Sequence, residues 1–265
     1  MHIVEEIEKN NWAFKLDRSY LAADEEIDRS IDAFEVGRFE LTEEILKRVL
    51  RKYPYHIDAL HHLALFYSHV DLNVEAYITA QAAVSIGLQS LPESFSWSKS
   101  KLEWGWRDNR PFLSALHLLA LISRDIGQLD ATIDLFTKLL SVNPNDNQGV
   151  RMLLPACYFE KEDPWLVVKH CRQHSDDHSP EIAYAHALGL VMIGEAGLAQ
   201  KVLVEAAASF PLVAKELLKK RHMRPKGMRT GVVTLGGADQ AYVYWQTYGK
   251  YWEASPAAMA LLKGI

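Results

Sequence analysis

Histidine spacing decides what metal or acid–base chemistry this 265-residue chain could carry, because it has eleven histidines and only two cysteines. His170, His174 and His178 recur every four residues, with Cys171, Asp176 and Asp177 among them. On one unbroken helix that spacing sets three imidazoles on one face, where a metal ion could bridge two of them. The run Ser175-Asp-Asp-His-Ser-Pro reads instead as a helix end and a cap, which carries His178 away from the others. No metal site is therefore expected. His61, His62, His69 and His117 make a second group. No serine or cysteine is recognisably paired with a base, so neither catalysis nor a cofactor is expected. Gly236-Gly237 alone is too little for a phosphate-binding loop.

Charge speaks to partners. The net charge is −5, with 49% hydrophobic and 24% charged residues, the profile of an ordinary folded chain. Residues 1–50 carry thirteen Asp/Glu against seven Lys/Arg, while Lys215–Arg229 holds seven cations and only Glu216 against them. That basic run could touch phosphates, or serve as a solvated helix end where cations complement the macrodipole; nucleic acid is not the expected partner. Cys157 and Cys171 are too few for a disulfide framework. Glu5, Glu6 and Glu8 interrupt any signal-like apolar run, and the longest apolar stretches, such as Leu116–Ile122, fall short of a membrane span. The expected compartment is the cytoplasm, with no membrane partner.

The elements that position these residues repeat. Counting Leu113 as 1, Ala120 falls at 8, Gly127 at 15, Phe136 at 24 and Pro144 at 32. From Pro180, Ala187, Gly194, Ala199, Leu203, Ala206 and Pro211 fall at 8, 15, 20, 24, 27 and 32. From Ile57, Ala64, Tyr67, Ala76 and Ala83 fall at 8, 11, 20 and 27; from Ala23, Gly37 and Pro54 fall at 15 and 32. A copy from Gly149 keeps Ala156 and a closing Pro180 but puts Arg172 at 24, and Pro155 should kink or shorten its first helix. Leu88–Arg110, with Trp97, Trp104 and Trp106, interrupts the series.

This pattern resembles the tetratricopeptide repeat: two antiparallel helices, A and B, with small residues where they cross and a proline ending helix B. The resemblance implies an all-α superhelical solenoid of about five helix pairs and more than about 60% helix. Residues 1–22 are then an N-terminal helix or extension, 23–211 the repeats with 88–110 inserted, and 212–265 C-terminal capping helices. It also implies a groove lined by helix A positions 2, 5, 9, 12 and 13. The groove candidates are His61, Leu65, His69, His117, Leu121, Arg124, Tyr184 and Leu188. The carboxylate clamp of chaperone-tail binders is missing, since its positions hold Ile27 and Ile31, His61 and Leu65, and His117 and Leu121.

Three stretches, Trp104-Gly-Trp-Arg-Asp-Asn-Arg-Pro-Phe-Leu, Asn143-Pro-Asn-Asp-Asn-Gln-Gly-Val-Arg and Ala241-Tyr-Val-Tyr-Trp with Trp252 and Ala258, are similar to a group of uncharacterised, mostly bacterial repeat proteins. A weaker similarity reaches the suppressor-of-tumorigenicity seven family. Asp146 or Asn147 is placed to cap the next helix, and Arg110 precedes a proline suited to a first turn. An Arg110–Asp146 or Arg151–Asp108 pair would lock the insertion onto the repeats; polar ligand recognition by Arg110 and Arg151 is the alternative. The aromatic tail, with Tyr244, Trp245, Tyr248 and Trp252 at helical spacing, should fold back through a glycine-bearing loop and cover the repeats. Together these readings imply a non-catalytic scaffold that binds a peptide or protein segment in its groove. The alternatives are a self-capped structural or regulatory subunit and an RNA-associated adaptor acting through residues 215–229. Partner identity and oligomeric state have no signature here.

Overall fold

The computed structural model describes residues 2–15, 20–229 and 231–265, and about two thirds of the chain is helical. It divides into two compact units, residues 1–150 and 151–265. The first holds strands β1 (Ile3–Glu8) and β2 (Asn11–Lys15) and helices α1 (Leu21–Glu35), α2 (Phe39–Lys52), α3 (Ile57–His69), α4 (Asn73–Ser90), α5 (Arg110–Asp125) and α6 (Leu129–Val142). The second holds α7 (Val150–Glu160, starting at the last residue of the first unit), α8 (Pro164–Gln173), α9 (Pro180–Met192), α10 (Ala196–Ser209), α11 (Pro211–Leu217), α12 (Ala238–Glu253) and α13 (Pro256–Lys263).

Helices α1 to α10 form five helix pairs whose geometry follows from residue size. At position 8 stand Ser30, Ala64, Ala120 and Ala187, and at position 20 Thr42, Ala76, Thr132 and Ala199; each is buried. Small side chains let helices A and B approach closely. Where threonine replaces alanine its hydroxyl must be satisfied. Thr42 Oγ1 donates to Arg38 O at 3.1 Å and Thr132 Oγ1 to Gln128 O at 3.1 Å. All five turns between helices A and B contain a left-handed residue: Gly37 (φ 74°), Asp71 (59°), Gly127 (79°), Glu162 (58°) and Gly194 (86°).

Glu162 corrects one register. Counting the fourth repeat from Gly149 puts its turn residue one place early and Arg172 at position 24. Counted from Gln148, Pro155 takes position 8, Val167 position 20 and Cys171 position 24, all buried. The misfit arose because the turn lacks the glycine that marks three of the others. Pro155 does sit inside α7, which at 11 residues is the shortest first helix of the five pairs. A proline has no N–H, so it releases the carbonyl four residues earlier. That carbonyl, Arg151 O, lies 2.8 Å from His170 Nε2, and the next, Met152 O, accepts from Tyr248 Oη at 3.1 Å. The break is thus repaired by one ring from α8 and one from α12.

The N-terminal segment is not the helix that residues 1–22 offered as one option. Residues 3–15 form an antiparallel hairpin, with Asn10 in a left-handed turn conformation and Trp12, Ala13 and Phe14 buried. Alternation across an Asn-Asn turn was the available signal. The hairpin docks on the insertion. Buried Asn109 accepts from Phe14 N (2.9 Å) and donates to Trp12 O and Glu103 O (both 3.1 Å). The insertion is shorter than residues 88–110, because α4 runs to Ser90 and α5 starts at Arg110.

Close packing between α4 and α5 depends on Gly87. A Cβ built there would meet the Phe112 ring at 2.1 Å, and Phe112 is fully buried, so the ring would have to shift from its place in the core. Gly87→Ala is therefore expected to destabilise the first unit by about 1–3 kcal/mol through overpacking, despite alanine's better helix propensity. Urea unfolding followed by circular dichroism tests this; an unchanged or higher midpoint would show that the interface can yield.

Candidate functional site

In the first unit the leading helices of three repeats, α1, α3 and α5, stand side by side, and their shared face carries the most chemically distinctive surface. A cavity of about 400 Å³ opens there, lined by residues that include Asp24, Asp28, Asp58 and Asp108 with Lys15, Arg107, His2 and His56. Four carboxylates thus face two fixed cations, and Lys15 already reaches Glu5 at 3.5 Å. Burial raises the Asp24 carboxyl above the usual range, and repulsion from Asp58, Asp28 and Asp108 adds to it. Burial likewise raises Asp58. His56 is pushed down to about 4 by burial, and its Nδ1 caps α3 by accepting from Ala59 N at 3.3 Å. A cation entering this cavity would relieve the strain among its carboxylates.

A second, more apolar cavity of about 240 Å³ lies among residues of α1, α2 and α3, including Ile31, Phe34, Leu46, Leu65 and Phe66, with His62 at its wall. Of the groove candidates in this unit, Leu65 and His69 are exposed, while His61, His117, Leu121 and Arg124 are half-buried. Burial holds His61 down at about 3 and also lowers His117. Asp24 and Asp58 went unnoticed in the sequence, although both occupy position 2 of their first helix, where the groove rule already points.

Tyr184 and Leu188 require a correction. Both are fully buried, not groove-lining. Tyr184 meets the rings of Tyr244 at 5.5 Å and Trp252 at 6.2 Å, and its hydroxyl donates to Phe210 O at 2.9 Å. Helix α12 reaches α7 too, with Tyr251 stacked on Phe159 at 5.1 Å. In the second unit, therefore, the chain's own aromatic helix lies on the leading helices of both repeats. Tyr244, Tyr248 and Trp252 are buried in it. Trp245 is not packed with them; it is half-buried and stacks on His222 at 3.8 Å. A period of four from Tyr244 predicts the buried face, and Trp245 lies one residue off it.

Of the two pairings expected, the one through Arg110 is replaced by a contact with the insertion. Arg110 does not reach Asp146: its Nε donates to Trp104 O at 3.0 Å and its guanidinium lies over the Trp104 ring. The insertion is tied instead by buried Asn143, whose Oδ1 accepts from Trp104 N at 3.3 Å, and by Leu102 N donating to Val142 O at 2.8 Å. Asp146 supplies the cap, accepting from Val150 N at 2.7 Å, while Asn147 is exposed. Arg151, in the second unit, pairs with Asp177 at 3.2 Å. His170 and His174 stay adjacent, ring centroids 4.7 Å apart, but α8 ends at Gln173 and His178 lies in the following loop. In the basic run, Glu216 takes both Lys219 and His222, leaving Lys220, Arg221, Arg224, Lys226 and Arg229 exposed. No single helix among the described residues is long and apolar enough to cross a membrane.

Helix pairs of this length, turn geometry and small-residue crossing define a tetratricopeptide-type helical repeat protein. Solved structures agree on the fold. The MamA protein matches with a TM-score of 0.54 at 15% identity, over 75% of this chain and 97% of its own. YrrB, described as a TPR protein with an unusual peptide-binding site, matches at 0.54 and 12%, over 74% and 93%. A tetratricopeptide repeat protein from Parabacteroides merdae matches at 0.54 and 19%, over 74% and 68%. The chain belongs to the Tcf25 family, described as transcriptional repressor TCF25, whose profile matches residues 38–241. No curated protein matches it.

Proposed function

We propose that the chain is a non-catalytic interaction scaffold that holds a basic segment of a protein partner on the first unit's α1–α3–α5 face. One contrast carries the reading. The corresponding face of the second unit is sealed by α12, whereas that of the first unit keeps an acidic cavity beside an apolar one. A lysine or arginine side chain would enter among Asp24, Asp28, Asp58 and Asp108, with an apolar neighbour against Phe34 and Leu65. The peptide-binding site described for YrrB supports the use of such a fold for this purpose. The family description, transcriptional repressor TCF25, supports a partner drawn from a transcription-related process. Cys157 and Cys171, both buried thiols, suit a reducing compartment, cytoplasm or nucleus.

Fluorescence anisotropy with charge-matched peptide sets tests this. Lys/Arg-bearing peptides are expected to bind and Glu-bearing ones not, and Asp24→Asn with Asp28→Asn should weaken binding by about tenfold or more while the melting temperature holds. Equal binding of both sets, or indifference to the double substitution, would sink the reading. Binding of generic RNA that falls steeply with salt and survives this double substitution would favour the basic run at 215–229 instead.

A further inference from the structure

We propose that Asp58, His61 and His62 form a binding site for a divalent transition metal of the zinc class, with coordination positions left open toward solvent. The three residues stand at i, i+3 and i+4 in the first turns of α3, a spacing that stacks side chains on one helix face. Their potential ligand atoms all lie within 4.8 Å of one another. Asp58 Oδ1 is 3.6 Å from His62 Nε2 and 4.0 Å from His61 Nδ1. Ligands at about 2.0–2.1 Å from a tetrahedral ion stand about 3.3–3.5 Å apart, so small side-chain rotations would close the set.

The donor chemistry narrows the ion. Two imidazole nitrogens and one carboxylate oxygen suit zinc, cobalt, nickel or copper, and disfavour calcium and magnesium, which take oxygen ligands. His61 Nδ1 is shielded from solvent and has no hydrogen-bond partner, an orphaned polar atom that a bound ion would satisfy. The positive end of the α3 dipole opposes a cation here; the Asp58 carboxylate, with the charge of Asp28 felt beside it, offsets that field. The site also stands between the two cavities, since Asp58 lines the acidic one and His62 the apolar one. Three protein ligands leave room for water or a partner's side chain, the arrangement of an exchangeable site. The proposal does not rest on the peptide reading.

Cobalt and zinc titrations of the full-length, chelator-treated chain provide the test. One equivalent of Co²⁺ is expected to produce visible d–d absorption, and Zn²⁺ should displace it. His62→Ala removes a side chain that is only partly buried, 22% exposed, and should weaken binding more than about 100-fold, and Asp58→Asn should weaken it by about tenfold or more. His174→Ala is the control for the adjacent His170 and His174 and should leave binding unchanged. Absence of saturable binding would overturn the proposal, as would binding that survives His62→Ala or is lost with His174→Ala.

Discussion

Trp252→Ala is expected to destabilise the second unit by about 3–5 kcal/mol, the cost of removing a fully buried tryptophan. Trp252 has no solvent exposure. It packs against Tyr184 and donates through Nε1 to Tyr244 Oη at 3.1 Å. Removing it opens a cavity and strips a partner from a hydroxyl inside the fold, so the packing and polar costs add. Trp245→Ala should cost less, because Trp245 is half-buried and loses its stack on His222 and its contact with the Tyr242 ring rather than a place in the core. Deletion of residues 238–265 should exceed both, exposing Tyr184 and Leu188 as an apolar face that binds a hydrophobic dye. Urea unfolding by circular dichroism ranks the three variants. Were Trp252→Ala to cost under about 1 kcal/mol, or the truncated chain to melt unchanged, α12 would be an appendage and the sealed face of the second unit would be an illusion.

Acid should weaken the same unit through His170. Burial lowers this histidine from 6.5 to about 4, while in the unfolded chain it titrates near its ordinary value. Between those values the unfolded chain binds the proton and the folded one does not, so stability falls as pH drops from about 6.5 toward 4. The full difference is worth about 3 kcal/mol at about 1.4 kcal/mol per unit. The surroundings set the sign. The Arg151 carbonyl at 2.8 Å and the charge of Asp177 favour the cation, His174 opposes it, and desolvation outweighs them all. His170→Gln retains a side-chain donor for the Arg151 carbonyl but cannot titrate. Its unfolding midpoint should therefore change less than the native protein's between pH 7 and 4.5. Parallel pH profiles for the two proteins would assign the acid sensitivity to other groups.

Much of the architecture was legible because repeats write their packing locally. Small residues at positions 8 and 20, and a left-handed residue in each turn, recur at fixed spacing, and each reports a contact made within one helix pair. The aromatic period in 238–252 was equally plain, since a helix that buries one face must place large apolar residues along it. The registers that slipped are those where chemistry replaced the usual residue. Glu162 adopts the conformation that glycine holds in three other turns, and an Asn-Asn turn, not a helix signal, shapes residues 3–15.

Sequence by itself determined the class of fold, the helix pairs and the existence of an aromatic covering helix, because each follows from neighbours along the chain. Only the tertiary structure decided where that helix lies, and so that Tyr184 and Leu188 are core residues while Leu65 and His69 remain exposed. It alone brought Asp24, Asp28, Asp58 and Asp108, drawn from α1, α3 and the insertion, around one cavity. The physical reason is that periodicity specifies which face of a helix is apolar, not which partner covers it. An electrostatic site assembled from separate elements has no period at all, since its charges interact through space and not along the chain.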